Sequence, residues 1–199
     1  MPGSGVGREF WQDGAVGGCD LVLILRYRKA VTYGHHVLLA ALEEHSTATD
    51  YRVVFADSAV ATVTAIREAC AGRVLVLWSF YSPDAAALAE ELAGIKAAAP
   101  GAVHVAGGVH ATAEPVQTLD QGWDIAAVGE GESTLLALVD SAGDPAGVQG
   151  LVYRDATGRL VRTGKAHREP LGRYRAFPLT YKRMNPIEIT RGCVYACAY

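Results

Sequence analysis

Short, uninterrupted aliphatic runs alternate with segments of helical period along residues 19–147, and few architectures accept that pattern. Leu21–Leu25 is entirely aliphatic, as a strand must be when both of its faces are covered. The segment from His36 to Glu44 places Val37, Leu38, Ala41 and Leu42 on one helical face, and Tyr51–Phe55 reads as a second strand. Ser58 is placed to cap a helix through Ala71, ended by Gly72. The third strand is Val74–Ser79. Ser82-Pro83-Asp84 then joins an N-cap, a first-turn proline and a first-turn acid, opening a helix whose buried stripe is Leu88, Leu92 and Ile95. Strands at Val103–Ala106 and Ile125–Val128 and helices at Pro115–Gln121 and Glu132–Ser141 complete five strand–helix units. The predicted class is α/β, a doubly wound, mainly parallel five-stranded sheet. Ligands of such sheets bind at the carboxyl ends of the strands, so the loops there carry the function.

At 199 residues the chain has room for one full domain and a remnant. Half hydrophobic and one-fifth charged, it has the balance of a globular protein. No apolar run approaches the roughly 20 residues that cross a bilayer, and residues 1–18, a Gly-rich leader expected to be flexible, lack the basic start and apolar stretch of a secretory signal. A cytoplasmic protein with no membrane partner is expected. Charge is asymmetric: residues 1–150 hold 8 Lys and Arg against 18 Asp and Glu, residues 151–199 hold 10 against 3. An acidic body is a poor match to a phosphate backbone, so no nucleic-acid partner is expected. The basic tail is expected to lie against an acidic surface of its own protein.

Beyond residue 147 the pattern changes. Residues 148–164 hold two short alternating segments around an Asp/Gly turn, a β-hairpin by sequence. Residues 165–185 are basic, carry Pro170 and Pro178, and read as a linker along a surface. Residues 186–199 open a new strand-like run, Pro186–Thr190, followed by a cysteine loop, and are expected to begin a further domain whose remainder is missing.

Three loops and one cysteine pair could carry chemistry. Gly107-Gly108-Val109-His110-Ala111-Thr112 follows a strand with paired glycines, which let a ligand approach the backbone. The plainer reading is a Gly-Gly turn with a satisfied histidine. Gly129-Glu130-Gly131-Glu132 again leaves backbone N–H groups open; Glu132 is explained by its helix N-terminus, Glu130 less so. Ser79, Tyr81 and Ser82 join the set by their position at the third strand's end. No G-x-G-x-x-G follows the first strand and no phosphate-loop motif occurs. Cys193 and Cys197 offer thiolates for an iron–sulfur cluster or zinc, although the nearest histidine, His167, sits in the linker; a chance pair of thiols remains the alternative. Cys19 and Cys70 adjoin apolar patterns and read as inert core thiols.

The run Ile-Glu-Ile-Thr-Arg-Gly-Cys-Val-Tyr-Ala-Cys-Ala-Tyr resembles the opening of a radical S-adenosylmethionine barrel: a first strand, then C-x-x-x-C-x-x-C, with the third cysteine due at the next position. Upstream, the GG-x-H-A-T loop, the GEGE loop, the hairpin and the proline-containing linker occur in the order found in the Rossmann-like, flavodoxin-like cobalamin-binding domain that precedes this barrel in one branch of the superfamily. The ordered set covers about residues 20–199.

The resemblance implies that Gly107, Gly108, His110 and Thr112 line the pocket of the cobalamin nucleotide tail, that Gly129, Glu130 and Gly131 close its other side, and that Cys193 and Cys197 ligate a 4Fe–4S cluster which, with S-adenosylmethionine, belongs to a full-length protein. It implies a methyltransferase or a related radical enzyme whose barrel, in the same chain or another, is this module's partner; the chain as given is not expected to turn over. The D-x-H-x-x-G motif that supplies a cobalt-ligating histidine elsewhere is absent, as it commonly is in this branch, and Tyr27, Tyr33 or His35 is available to shield the lower face. Two other classes fit the same residues: a stand-alone cobalamin carrier or sensor, and a flavodoxin-like binder of another nucleotide cofactor.

Overall fold

Leu21, Val22, Leu23, Ile24 and Leu25 are each at most 1% exposed, at the centre of strand β1 (Cys19–Arg26). A computed structural model describes residues 18–28, 32–69 and 71–182 of the chain. β1 is paired in parallel on both edges, with β2 (Tyr51–Ala56) on one side and β3 (Ala71–Ser79) on the other. β4 (Val103–Gly107) and β5 (Ile125–Ala127) continue outward from β3, also parallel. The five expected parallel strands are all present.

The hairpin strands β6 (Leu151–Arg154) and β7 (Leu160–Arg162) do not stand apart from this sheet. β6 pairs antiparallel with β5, Ala127 opposite Leu151, and the sheet reaches seven strands in the order β2-β1-β3-β4-β5-β6-β7. Adding the hairpin covers an edge that β5 would otherwise present unpaired.

Alternate side chains of each strand enter two separate cores, since successive strand residues point to opposite faces. Leu21, Leu23 and Leu25 pack with helices α1 (Thr32–Glu43) and α6 (Glu132–Asp140). Val22 and Ile24 face the other layer, α2 (Ala59–Glu68), α3 (Ala85–Ala98) and α5 (Pro115–Asp120). Ser58 caps α2 as the sequence suggested, its Oγ accepting from Ala61 N–H at 3.2 Å. Several boundaries differ from the reading of the sequence, and Ser82–Asp84 forms a single 3-10 turn without a side-chain cap before α3. α1 begins at Thr32, four residues before His36; α2 stops at Glu68, because Ala71 already belongs to β3; and Val109–Ala113, read as a loop, is a short helix α4.

Two histidines are packed where charge is costly. His104, on β4, is fully buried; its Nδ1 accepts from Trp78 Nε1–H at 3.2 Å, and burial pulls its pKa down to about 4. His35, in the first turn of α1, is 1% exposed, and burial followed by the neighbouring His36 brings it also to about 4. Both stay neutral in the folded chain, whereas the unfolded chain binds their protons near pH 6.5. Stability is therefore full above about pH 6.5 and falls steadily as pH drops toward 4. Urea midpoints measured from pH 7.5 to 4.5 should show that decline, and the double variant His35→Gln, His104→Gln should flatten it. An unchanged slope in the variant contradicts this assignment.

Candidate functional site

The sheet order places a crevice between β1 and β3. The chain leaves β1 for β2 on one side and returns past it to β3 on the other, so the loops after β1 and β3 part company at the carboxyl edge. Ser79 ends β3 at this point, paired with Gly107 at the end of β4. Two glycines close on its hydroxyl. A Cβ on Gly34, in the first turn of α1, would lie 3.6 Å from Ser79 Oγ, and one on Gly108 only 2.9 Å away. Gly108 also holds φ +87°, a conformation that L side chains rarely adopt. The result is a narrow seam, or slot, in which two glycine backbones meet the Ser79 hydroxyl at contact distance.

His110 does not project into this slot. It lies in α4, 3% exposed, with Nδ1 3.0 Å from Ser82 Oγ and its ring 5.4 Å from Phe80, which itself stacks on Trp123 at 4.7 Å. α4 turns the ring inward, where it ties the β3 and β4 loops together. Its Nε2 is buried without a hydrogen-bond partner. The residues left outside are apolar. Tyr81 and Val109 are 52% and 60% exposed, and they flank the Ser82–His110 contact in sequence.

The β5 loop joins the same edge. Gly129 N–H donates to Thr112 Oγ1 at 3.1 Å, so the two motif loops are hydrogen-bonded to each other. Gly129 holds φ +97°. Gly131 packs against α1, since a Cβ there would come within 3.1 Å of Leu38 Cδ2. Glu132 is the first residue of α6 and 3% exposed, where a carboxylate complements the helix dipole. Glu130 sits 3.6 Å from the Arg168 guanidinium in the basic segment, and Glu44 pairs likewise with Arg175. The basic segment thus lies on acidic groups of the same chain.

Of the sequence candidates, Ser79, Gly107, Gly108, Thr112 and Gly129 lie along one edge, Ser82 and His110 brace it, and Tyr81 rims it. Cys193 and Cys197 lie outside the described residues, as do Cys70, residues 1–17 of the leader and the strand-like run from Pro186. Among the described residues no group of three or more His, Cys, Asp or Glu is placed to hold a metal. His36 and Tyr27 form a side-by-side pair, Tyr27 Oη to His36 Nε2 2.7 Å, and Tyr27 also stacks on His35. No described helix is long and apolar enough to cross a membrane. Gly34 and Val109 escaped the sequence reading. Gly34 would have been found by asking why a glycine stands in the first turn of a helix, but that helix was started two residues after it.

The slot makes opposite demands at its two glycines. Gly108→Val should lower stability by about 1–3 kcal/mol for an L residue held at positive φ. Gly34→Ala, whose Cβ fits, should raise it by about 0.5–1 kcal/mol. Thermal melts of the two variants check both signs.

No family model matches the chain, and no curated protein matches it in sequence. Solved structures do. The cobalamin-dependent S-adenosylmethionine radical enzyme OxsB, with aqua-cobalamin bound, superposes with a TM-score of 0.56 at 14% identity, over 75% of this chain and 23% of that one. The radical S-adenosylmethionine methyltransferase TsrM from Kitasatospora setae, with cobalamin and a 4Fe–4S cluster bound, gives 0.53 at 20% identity, over 80% of this chain and 31% of that one. The chain therefore spans less than a third of either protein's length, and what it shares with that part of them is the fold.

Proposed function

We propose that this chain binds cobalamin on the carboxyl edge of its sheet, as the module preceding the barrel of a cobalamin-dependent radical S-adenosylmethionine enzyme. The observation that carries the reading is the slot at the β1/β3 crevice: the Ser79 hydroxyl enclosed by the backbones of Gly34 and Gly108. A side chain at Gly108 would crowd Ser79, so the glycine leaves backbone and hydroxyl open to a group arriving along the edge. The benzimidazole end of a cobalamin tail is such a group, and the shared fold with OxsB and TsrM agrees with it.

Each residue then has a physical task. Gly107 and Gly108 let the tail approach the backbone, and the Ser79 hydroxyl bonds it. The Thr112–Gly129 hydrogen bond fixes the width between the β4 and β5 loops. Tyr81 and Val109, both exposed, would supply apolar contact to a bound corrin and exclude water from it. Cobalamin supplies, when bound, a cobalt centre able to carry a methyl group for transfer. The histidines nearest the edge are turned away from it: His35, His36 and His110 are all at most 3% exposed, His36 and His110 are engaged by Tyr27 and Ser82, and His104 is in the core. Cys193 and Cys197 are proposed as cluster ligands of the full-length enzyme, with S-adenosylmethionine as its second cofactor and methylation as its reaction.

An absorption titration of the purified chain with hydroxocobalamin tests the binding. Saturable, one-to-one binding is expected, abolished by Gly108→Trp and retained by Gly101→Trp, a control at a position with open space around it. After reduction to cob(II)alamin, the bound cofactor should show an electron paramagnetic resonance spectrum free of nitrogen superhyperfine splitting. Folded chain that binds no hydroxocobalamin contradicts the proposal, and a chain purified with a flavin spectrum places it in another class.

A further inference from the structure

The loop that closes the candidate site is also the loop on which the chain's exit is docked. On one side Gly129 is bonded to Thr112. On the other, the Ala166 methyl is seated between Gly129 and Gly150, so close that a Cβ on Gly150 would lie 2.7 Å from it. Ser133 Oγ donates to the His167 carbonyl at 3.0 Å, and Arg168 faces Glu130. The segment then crosses toward α1, roofing a cavity of about 200 Å³ whose lining includes Val37, Glu132 and Tyr174.

Its far end is anchored on the same helix that carries Gly34. Glu43, the last residue of α1, accepts the backbone N–H groups of Leu179 and Thr180 at 2.7 Å each and of Tyr181 at 3.2 Å. The Tyr181 ring packs edge-on against Phe55 of β2 at 5.8 Å. Residues 165–182 therefore bridge two walls of one site: the β5 loop at Gly129 and the helix that begins beside Gly34. The bridge contains no helix or strand, and its ion pairs lie at the surface, which marks it as an element that opens at low cost.

We propose that residues 165–182 form a strap whose docking is coupled to occupation of the carboxyl edge. A ligand that fixes α1 relative to the β5 loop holds together the two surfaces on which the strap sits, and the docked strap in turn keeps the slot closed. Occupancy of the site is thereby passed to the residues beyond 182. This inference rests on the reading of the edge as a cobalamin site and adds its regulation.

The test uses the whole 199-residue chain. Amide hydrogen exchange of residues 165–182 is followed with and without hydroxocobalamin, and affinity is compared between wild type and the double variant Glu43→Ala, Tyr181→Ser. Both substitutions lie at the far end of the strap, away from the slot. Bound hydroxocobalamin should slow exchange in the strap, and the variant should bind more weakly, each by about 5- to 150-fold, since coupling between two sites is reciprocal. Cofactor binding with strap exchange unchanged overturns this inference alone, as does unchanged affinity in a variant of native circular dichroism. Should the variant fail to fold, exchange in the wild type decides. If the wild type binds no hydroxocobalamin, the cofactor reading itself falls and the inference falls with it.

Discussion

β1 is paired on both edges and buried on both faces, and this constraint decides where the molecule can do anything. A strand with Leu21–Leu25 wholly enclosed offers no side chain to a ligand over those five positions, so a ligand can meet it only at an end. The order β2-β1-β3 makes the carboxyl end the open one, because the chain turns to opposite sides after β1 and β3. The five leucine, isoleucine and valine side chains, each worth roughly 1.5–3 kcal/mol when fully buried, hold that geometry rigid. What varies at the edge is loop chemistry placed on a fixed frame.

That loop chemistry suits binding rather than bond-making. The polar groups at the edge are hydroxyls and backbone N–H groups, two of them already spent on holding the loops together: Ser82 on His110 and Thr112 on Gly129. His35 and His110 are turned inward. Burial brings His35 to about 4, so that side chain adds no positive charge beside a bound cofactor at neutral pH.

Much of this was legible in the sequence because the signals were local. Uninterrupted aliphatic runs announced the parallel strands, and Ser58 announced its own helix. The paired glycines announced the edge: Gly108 needs positive φ and a missing Cβ, and no other residue satisfies both. What escaped was long-range. That the 148–164 hairpin adds to β5 depends on an edge strand whose last residue, Ala127, precedes its partner Leu151 by 24 positions, and no local pattern records which edge it will choose. The direction of the His110 ring was not legible, because the five-residue α4 is too short to show a helical period, yet that one turn decides whether the ring faces out or in. The partners of Glu130, Glu43 and Glu44 lie 38, 136 and 131 residues onward, so only the overall charge asymmetry hinted at them.

The central claim is that the carboxyl edge at Ser79 and Gly108 is the seat of the cobalamin tail. A crystal structure of the chain grown with hydroxocobalamin tests it most directly. The account predicts the benzimidazole against the Gly107–Gly108 backbone, within hydrogen-bond distance of Ser79 Oγ, with the corrin ring against Tyr81 and Val109. A cofactor bound elsewhere on the chain, with the slot closed and Ser79 uncontacted, would contradict it.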